Sequence, residues 1–318
     1  MVERGVSARR GERMFPAPEI IESEVFAELP LEYRHPRPTA WGDANRGGQS
    51  LHSFLEGPSF DREGNLYVVD IPFGRVFRVS PSGKFAQIAE YDGEPNGLKI
   101  HRDGRIFITD YKHGVIFLDP VSGCVTPILE RRWSERFKGV NDLFFADNGD
   151  LYFTDQGQTG FQDPTGRVFR LSAAGKLELL IGVIPSPNGL VMNPEQNALF
   201  VAVTRGNSVW RMPLLPDGTT TKVGLFIQLS GSLAGPDGLA MDETGSLAVA
   251  HAGLGSVWLF DRLGQPLYRV RSCAGLLTTN IAYGGADRKS LYITESDTGS
   301  ILRAVMPTPG RTMFSHRD

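Results

Sequence analysis

Apolar residues along this chain come in six short runs: Leu66–Val69, Ile106–Thr109, Leu151–Thr154, Leu199–Ala202, Leu247–Ala250 and Leu291–Thr294. Each is four residues of aliphatic, β-branched or aromatic type behind a turn signal, which predicts a strand buried on both faces. The turns before them include Asp61-Arg-Glu-Gly64, Asp103-Gly104, Asp147-Asn-Gly149 and Asp242-Glu-Thr-Gly245. Asp or Asn followed by a glycine free to take positive φ is hairpin chemistry. A further strand follows each run, with Phe77, Phe117, Phe169, Trp210 or Trp258 at its centre in five cases. These aromatic residues are expected to fill space between sheets. Another turn then leads to a more variable strand. Four antiparallel strands per unit, six times over, predict an all-β, six-bladed β-propeller.

Polar residues keep the same beat. Glu56, Asn96, Asn141, Asn188, Asp237 and Asn280 each open a unit, at separations of 40, 45, 47, 49 and 43 residues. In a propeller the innermost strand crosses the disc and the second strand returns. The start of the first and the end of the second therefore share a face. That brings Asp70, Asp110, Asp155, His251 and Glu295 to the same mouth as the opening residues.

The chain ends soon after the sixth unit, so the ring needs a strand from elsewhere to close. The segment Ile20–Leu29 is the expected donor to the last blade, and closure removes exposed sheet edges. Residues 1–19 read as a flexible tail, 20–305 as a single propeller and 306–318 as a C-terminal tail. The Pro- and Gly-rich segment 30–55 is expected to cross one face before the first blade.

A net charge of −3 gives no support for nucleic-acid binding. The pairs Arg9-Arg10 and Arg131-Arg132 read as solvated surface, and no apolar stretch is long enough to span a membrane. The N-terminus lacks the apolar core of a signal peptide. Cys124 and Cys273 fall in different units and read as free, buried or half-buried thiols, which suits a reducing compartment. A cytoplasmic location is expected.

Asp70 and Asp110 read as turn anchors bonded to backbone amides. Glu56 is different, because glutamate is a poor turn residue and here precedes Gly57-Pro58 on the innermost strand. Carboxylates facing each other across a narrow tunnel repel unless a cation lies between them. Carboxylate with amide oxygen is a hard ligand set, suited to Ca²⁺, Mg²⁺ or Mn²⁺. Metal binding is the better reading for Glu56 and Asp237. Tyr111, His113, Phe161 and His251 are expected on the wall, with His251 either a proton shuttle or a rim residue. There is no Gly-x-Ser-x-Gly elbow.

Glu56-Gly-Pro, Asn141-Asp142, Pro187-Asn188-Gly-Leu and Pro236-Asp237-Gly-Leu, in that order at blade spacing, resemble the regucalcin/gluconolactonase family of propeller lactonases over about residues 50–305. The resemblance implies a divalent cation, Ca²⁺ foremost with Mg²⁺, Mn²⁺ or Zn²⁺ as alternatives, held by Glu56, Asn188 and Asp237. Asn141 ligates the metal or holds substrate, and Asp237 is the general base. The implied reaction opens a small-molecule lactone to a hydroxy acid. Asp155, His251, Tyr111 and Lys138 are expected to touch substrate. Two departures weaken a sugar 1,5-lactone as substrate. Ser59-Phe60 stands where many relatives carry Trp, and Gly139 stands where many carry Arg. The rival readings are an aryl esterase or phosphotriesterase on the same site, or a non-catalytic Ca²⁺- or ligand-binding propeller. Oligomeric state is left open.

Overall fold

The computed structural model describes residues 17–317. Residues 1–16, which hold Arg9-Arg10 and most of the expected tail, lie outside them. Six four-stranded antiparallel sheets follow one another as blades. The innermost strands are Leu55–Phe60, Pro95–Ile100, Val140–Phe145, Pro187–Met192, Gly235–Met241 and Thr278–Gly284. Each second strand corresponds to one of the six apolar runs. Its side chains are buried on both faces, as in Leu66–Asp70 and Ile106–Asp110. Packing between consecutive blades forms the core. Phe77 and Phe169 are fully buried there, whereas Phe117, Trp210 and Trp258 are only half-buried.

The N-terminal segment closes the ring as expected, but it splits between two blades. Glu24–Glu28 pairs antiparallel with Ser300–Val305 and completes the sixth blade. Glu19–Glu22 instead pairs parallel with Pro266–Arg271 and adds a fifth strand to the fifth blade. Ser23 marks the switch. Its hydroxyl donates to Arg271 O at 2.8 Å and accepts from Cys273 N at 3.1 Å. Both cysteines are free but exposed, not buried.

Residues 30–55 roof the face where the inner strands begin. Thr39 Oγ1 caps the short helix Ala40–Asn45 by accepting from Gly42 N, and the buried Trp41 packs on Phe54. Two polar contacts carry the roof across the disc: Gln158 Nε2 donates to Asn45 Oδ1 at 3.1 Å, and Arg46 pairs with Asp297 at 3.1 Å. The opposite face is covered by residues 306–317, which are not loose. Phe314 is buried and stacks on Phe145, Arg311 bonds Asp147 and Met192 O, and Ser315 bonds Phe60 O. Among the described residues no helix is long and apolar enough to cross a membrane.

Removing residues 1–28 takes away the closing strand and bares the edge of Ser300–Val305. This truncation should lower the melting temperature by roughly 5 °C or more and promote association. Removing only residues 1–22 should cost far less. Thermal melts and light scattering on the two truncations check the difference.

Candidate active site

Each inner strand carries one extra residue near its start. Pro187 faces Val203 and Leu190 faces Val201, so three steps on the inner strand match two on its partner. The same break recurs in the other five blades. Such a bulge locally frees the chain and re-aims a side chain. The re-aimed residues are Glu56, Asn96, Asn141, Asn188, Asp237 and Thr279, and all six line one cavity of about 600 Å³.

The sixth position is therefore Thr279, not Asn280. The pairing Ile281↔Ile293 matches Leu190↔Val201, which puts Asn280 where other blades have glycine. The apolar residue was the signal. Leu98, Leu143, Leu190 and Leu239 each stand two places after the opening residue, so Ile281 points to Thr279.

The glycine position has a strict cause. A Cβ on Gly189 would lie 2.4 Å from Asp237 O, and one on Gly238 would lie 2.1 Å from Asn280 Oδ1. Neighbouring inner strands leave no room for a side chain there. Only the third and sixth blades place one, Asp142 and Asn280, and these meet each other. Asn280 Nδ2 donates to Glu56 Oε2 at 2.8 Å and to Asp142 Oδ2 at 3.4 Å.

Four of the expected site residues, Glu56, Asn141, Asn188 and Asp237, thus converge, with Tyr111 and Phe161 on the same wall. Burial pushes the Glu56 carboxyl up to about 7, helped by the nearby Asp142 charge and opposed by bonds from Gly57 N and Asn280. Burial raises Asp237 well above the ordinary aspartate range, and the charges of Glu56 and Asp142 add to it. Asn188 Nδ2 donates to Thr204 Oγ1 at 3.2 Å, which commits the amide nitrogen and leaves the oxygen for another partner. Asn141 Nδ2 donates to Gln156 Oε1 at 2.8 Å, while its buried Oδ1 has no partner.

Among the described residues no cluster of three or more His, Cys, Asp or Glu side chains is spaced to hold a metal. The donors here are two carboxylates with amide oxygens. Two neighbouring carboxylates without a countercharge, Glu56 buried and Asp237 half-buried, beside a buried acceptor without a donor, fit an oxygen-preferring divalent cation.

Three residues expected to touch substrate, together with His113, do not line the cavity. Asp155 is fully buried, accepts from Gly139 N at 2.9 Å and from Arg167 Nε at 2.7 Å. Asp70, Asp110 and Glu295 do the same job, accepting from Phe54 N, Glu94 N and Leu277 N. The acids that end four of the second strands anchor the backbone just ahead of the inner strands of their blades. His251 is buried as well. Trp258 Nε1 donates to its Nδ1 at 3.2 Å, so its Nε2 carries the proton and bonds Asn207 Oδ1 at 3.0 Å. Burial lowers its pKa to about 4, and Arg269 adds to that. Both ring nitrogens are occupied, which removes it as a shuttle. Lys138 Nζ is turned to Thr165 Oγ1, and His113 Nε2 lies 2.6 Å from Asp92 O.

Their places on the wall are taken by residues with no periodic signal in the sequence: Gln156, Gln158, Gln162, Ser186, Arg205, and Trp41 and Arg46 from the roof. Tyr111 explains the departure at residue 139. Gly139 has φ of 149°, and a Cβ there would lie 2.5 Å from Tyr111 Cδ1. The tyrosine ring stands where a longer side chain would begin.

The fold and site define a six-bladed propeller with oxygen donors gathered at one end of its tunnel. Residues 54–297 match the SMP-30/Gluconolactonase/LRE-like region. The chain belongs to this family, which places it among lactonase-class enzymes. It is 31% identical to lactonase drp35 of Staphylococcus aureus over 228 residues, 68% of this chain and 69% of that one. Two solved structures share the fold. A calcium-binding regucalcin from Agrobacterium tumefaciens is 22% identical with TM-score 0.75, covering 95% of this chain and 100% of the other. A gluconolactonase from Xanthomonas campestris is 22% identical with TM-score 0.71, covering 89% and 99%.

Two predictions distinguish the anchors from the cavity wall. Replacing Asp155 with Ala strands the buried Arg167 guanidinium, which retains only Glu135 as an acidic partner. A loss of about 3 kcal/mol is expected, read as a lower denaturation midpoint. In cation-free protein, Glu56 and Asp237 hold protons more tightly folded than unfolded, so each favours the folded state at low pH; the contribution of Glu56 is lost as pH rises from the ordinary carboxylate range to about 7. Melting temperature in chelator should fall between about pH 5 and 7. The fall should shrink in Glu56→Gln and disappear when Ca²⁺ is added. A flat profile in the unsubstituted protein would contradict the charge balance of the site.

Proposed function

We propose that this chain is a divalent-metal-dependent lactonase that opens a lactone ring to a hydroxy acid. One observation carries the reading. Two carboxylates, buried Glu56 and half-buried Asp237, and an unpartnered amide oxygen line one cavity, in a chain that belongs to a lactonase-class family. Glu56, Asn188 and Asp237 would hold the cation, with Asn141 as a fourth oxygen donor. The oxygen-only set favours Ca²⁺, with Mg²⁺ and Mn²⁺ next. When bound there, such an ion polarises a carbonyl oxygen and offsets the negative charge that develops on it.

The chain's own groups do the rest. Asp237 takes a proton from the attacking water as general base. Arg205, on the same wall, lowers the proton affinity of Asp237 and opposes part of the rise. Burial keeps the Tyr111 hydroxyl protonated, so the ring can donate a hydrogen bond but not act as a base. Gln158 and Gln162 offer donors and acceptors to ring hydroxyls, and Trp41, Phe54 and Phe161 give the cavity apolar surface. The roof of residues 30–55 limits the water that reaches the site.

Asp237→Asn should lower kcat by about 10² to 10⁴-fold with little change in melting temperature; unaltered turnover removes Asp237 as base. Acid release should be followed with a pH indicator across aldonolactones, γ- and δ-lactones, aromatic lactones, aryl esters and phosphotriesters. Each should be assayed after chelation and again after Ca²⁺, Mg²⁺, Mn²⁺ or Zn²⁺ is restored. Activity confined to lactones and restored by one of these cations is expected. Activity confined to aryl esters or phosphotriesters would move the reaction class, and none anywhere would favour a binding propeller.

A further inference from the structure

The carboxamide of Asn141 is useful to a cation only if its oxygen, and not its nitrogen, faces the cavity. Rotation by half a turn about the last side-chain bond exchanges the two at little steric cost. A mobile amide would therefore present NH₂ to the ion part of the time, and nitrogen that already carries two protons is no ligand. Something must hold the nitrogen end.

Asn141 Nδ2 donates to Gln156 Oε1 at 2.8 Å. Gln156 is itself fixed at several points. The Tyr111 hydroxyl donates to the same Oε1. Its Nε2 donates to Ser186 Oγ at 3.0 Å, and its backbone carbonyl accepts from Thr159 Oγ1 at 2.6 Å. Thr159 Oγ1 in turn accepts from Ser186 N at 3.1 Å, which closes the loop of bonds between the third and fourth blades. With both ends of the glutamine amide engaged, its oxygen cannot swing away. The consequence is seen at the far end of Asn141: Oδ1 is buried and without a donor.

We propose that Gln156 is a positioning residue, which through the Tyr111–Gln156–Ser186 chain locks Asn141 with its oxygen directed to the cation. This rests on the reading of Asn141 as a cation donor. Gln156 follows Asp155, the backbone anchor, so the bond that fixes the inner strand and the one that orients its donor come from adjacent residues. In metal sites, partners that orient a ligand typically change affinity by 10- to 100-fold when lost.

The test is Ca²⁺ affinity by calorimetry on chelator-stripped full-length protein, with melting temperature in chelator as the check on folding. Gln156→Met keeps the length of the side chain and removes the acceptor; affinity should fall by about tenfold or more. Gln156→Glu keeps an acceptor for both Asn141 and Tyr111, and Ser186 can turn its hydroxyl to donate. Its affinity should stay within about threefold of the parent. In an Asn141→Ala background, Gln156→Met should cause no further loss, because the group it orients is gone. If Asn141→Ala weakens binding and Gln156→Met does not, the role assigned to Gln156 is wrong and the donor reading stands. Unchanged affinity in Asn141→Ala would remove Asn141 from the donor set and this role with it. A further tenfold loss on adding Gln156→Met to Asn141→Ala would make the glutamine's effect independent of Asn141, and would also overturn the proposal.

Discussion

Everything at the centre of this molecule depends on how closely six inner strands approach the axis. The spacing is so tight that a single methyl group at Gly189 or Gly238 would overlap the backbone or side chain of the next blade. The strands meet this by bulging. One extra residue per strand lets the chain turn its side chain into the tunnel while the following glycine slips past its neighbour. Hydroxyls then join the bulges around the ring. Thr154 Oγ1 donates to Asn188 O, Thr204 Oγ1 to Pro236 O and Ser296 Oγ to Leu55 O, at 2.9, 2.8 and 2.7 Å. Thr109 Oγ1 does the same to Asn141 O. Each bond runs from one blade to the inner strand of the next, so the positions of the oxygen donors are set by the ring as a whole.

The division of labour among the acids follows from this frame. Those ending the second strands are fully buried and spend their oxygens on backbone amides and arginines, as Asp70 does with Phe54 N and Arg75. Glu56 and Asp237, on the inner strands, face the cavity, and among the described residues neither forms a salt bridge with a cationic side chain. Shielding a carboxylate from water without a countercharge is costly, and such perturbed groups cluster at functional sites. A cation would relieve the repulsion between Glu56 and Asp237 and occupy the free oxygen of Asn141.

Much of this was legible along the chain. The strand runs, the turn chemistry and the period carry the propeller, because each blade repeats the same local solution to burying a two-faced strand. The acids and amides of the cavity were legible for a related reason: a residue that breaks its local preference, such as Glu56 before Gly-Pro, stands out against five neighbours in the same register. Periodicity also misled. Asn280 shares the chemistry of the other opening residues and nearly their spacing, yet the bulge register gives the place to Thr279. Asp155 and His251 fall on the correct face by strand geometry, but arginine and tryptophan partners from the next strand draw them inward.

The sequence by itself determined the architecture, the closing strand and four acid or amide residues that line one cavity, since all of these are local patterns repeated at a fixed interval. Only the tertiary structure decided what lies between and around them. The roof of residues 30–55, the strap of residues 306–317 and the split of the N-terminal segment between two blades have no period, and their contacts span more than two hundred residues of chain. The orientation of Asn141 belongs to the same class. It depends on Gln156, Tyr111 and Ser186, which come from three different blades, and hydrogen bonds between blades leave no mark on the spacing of residues within one.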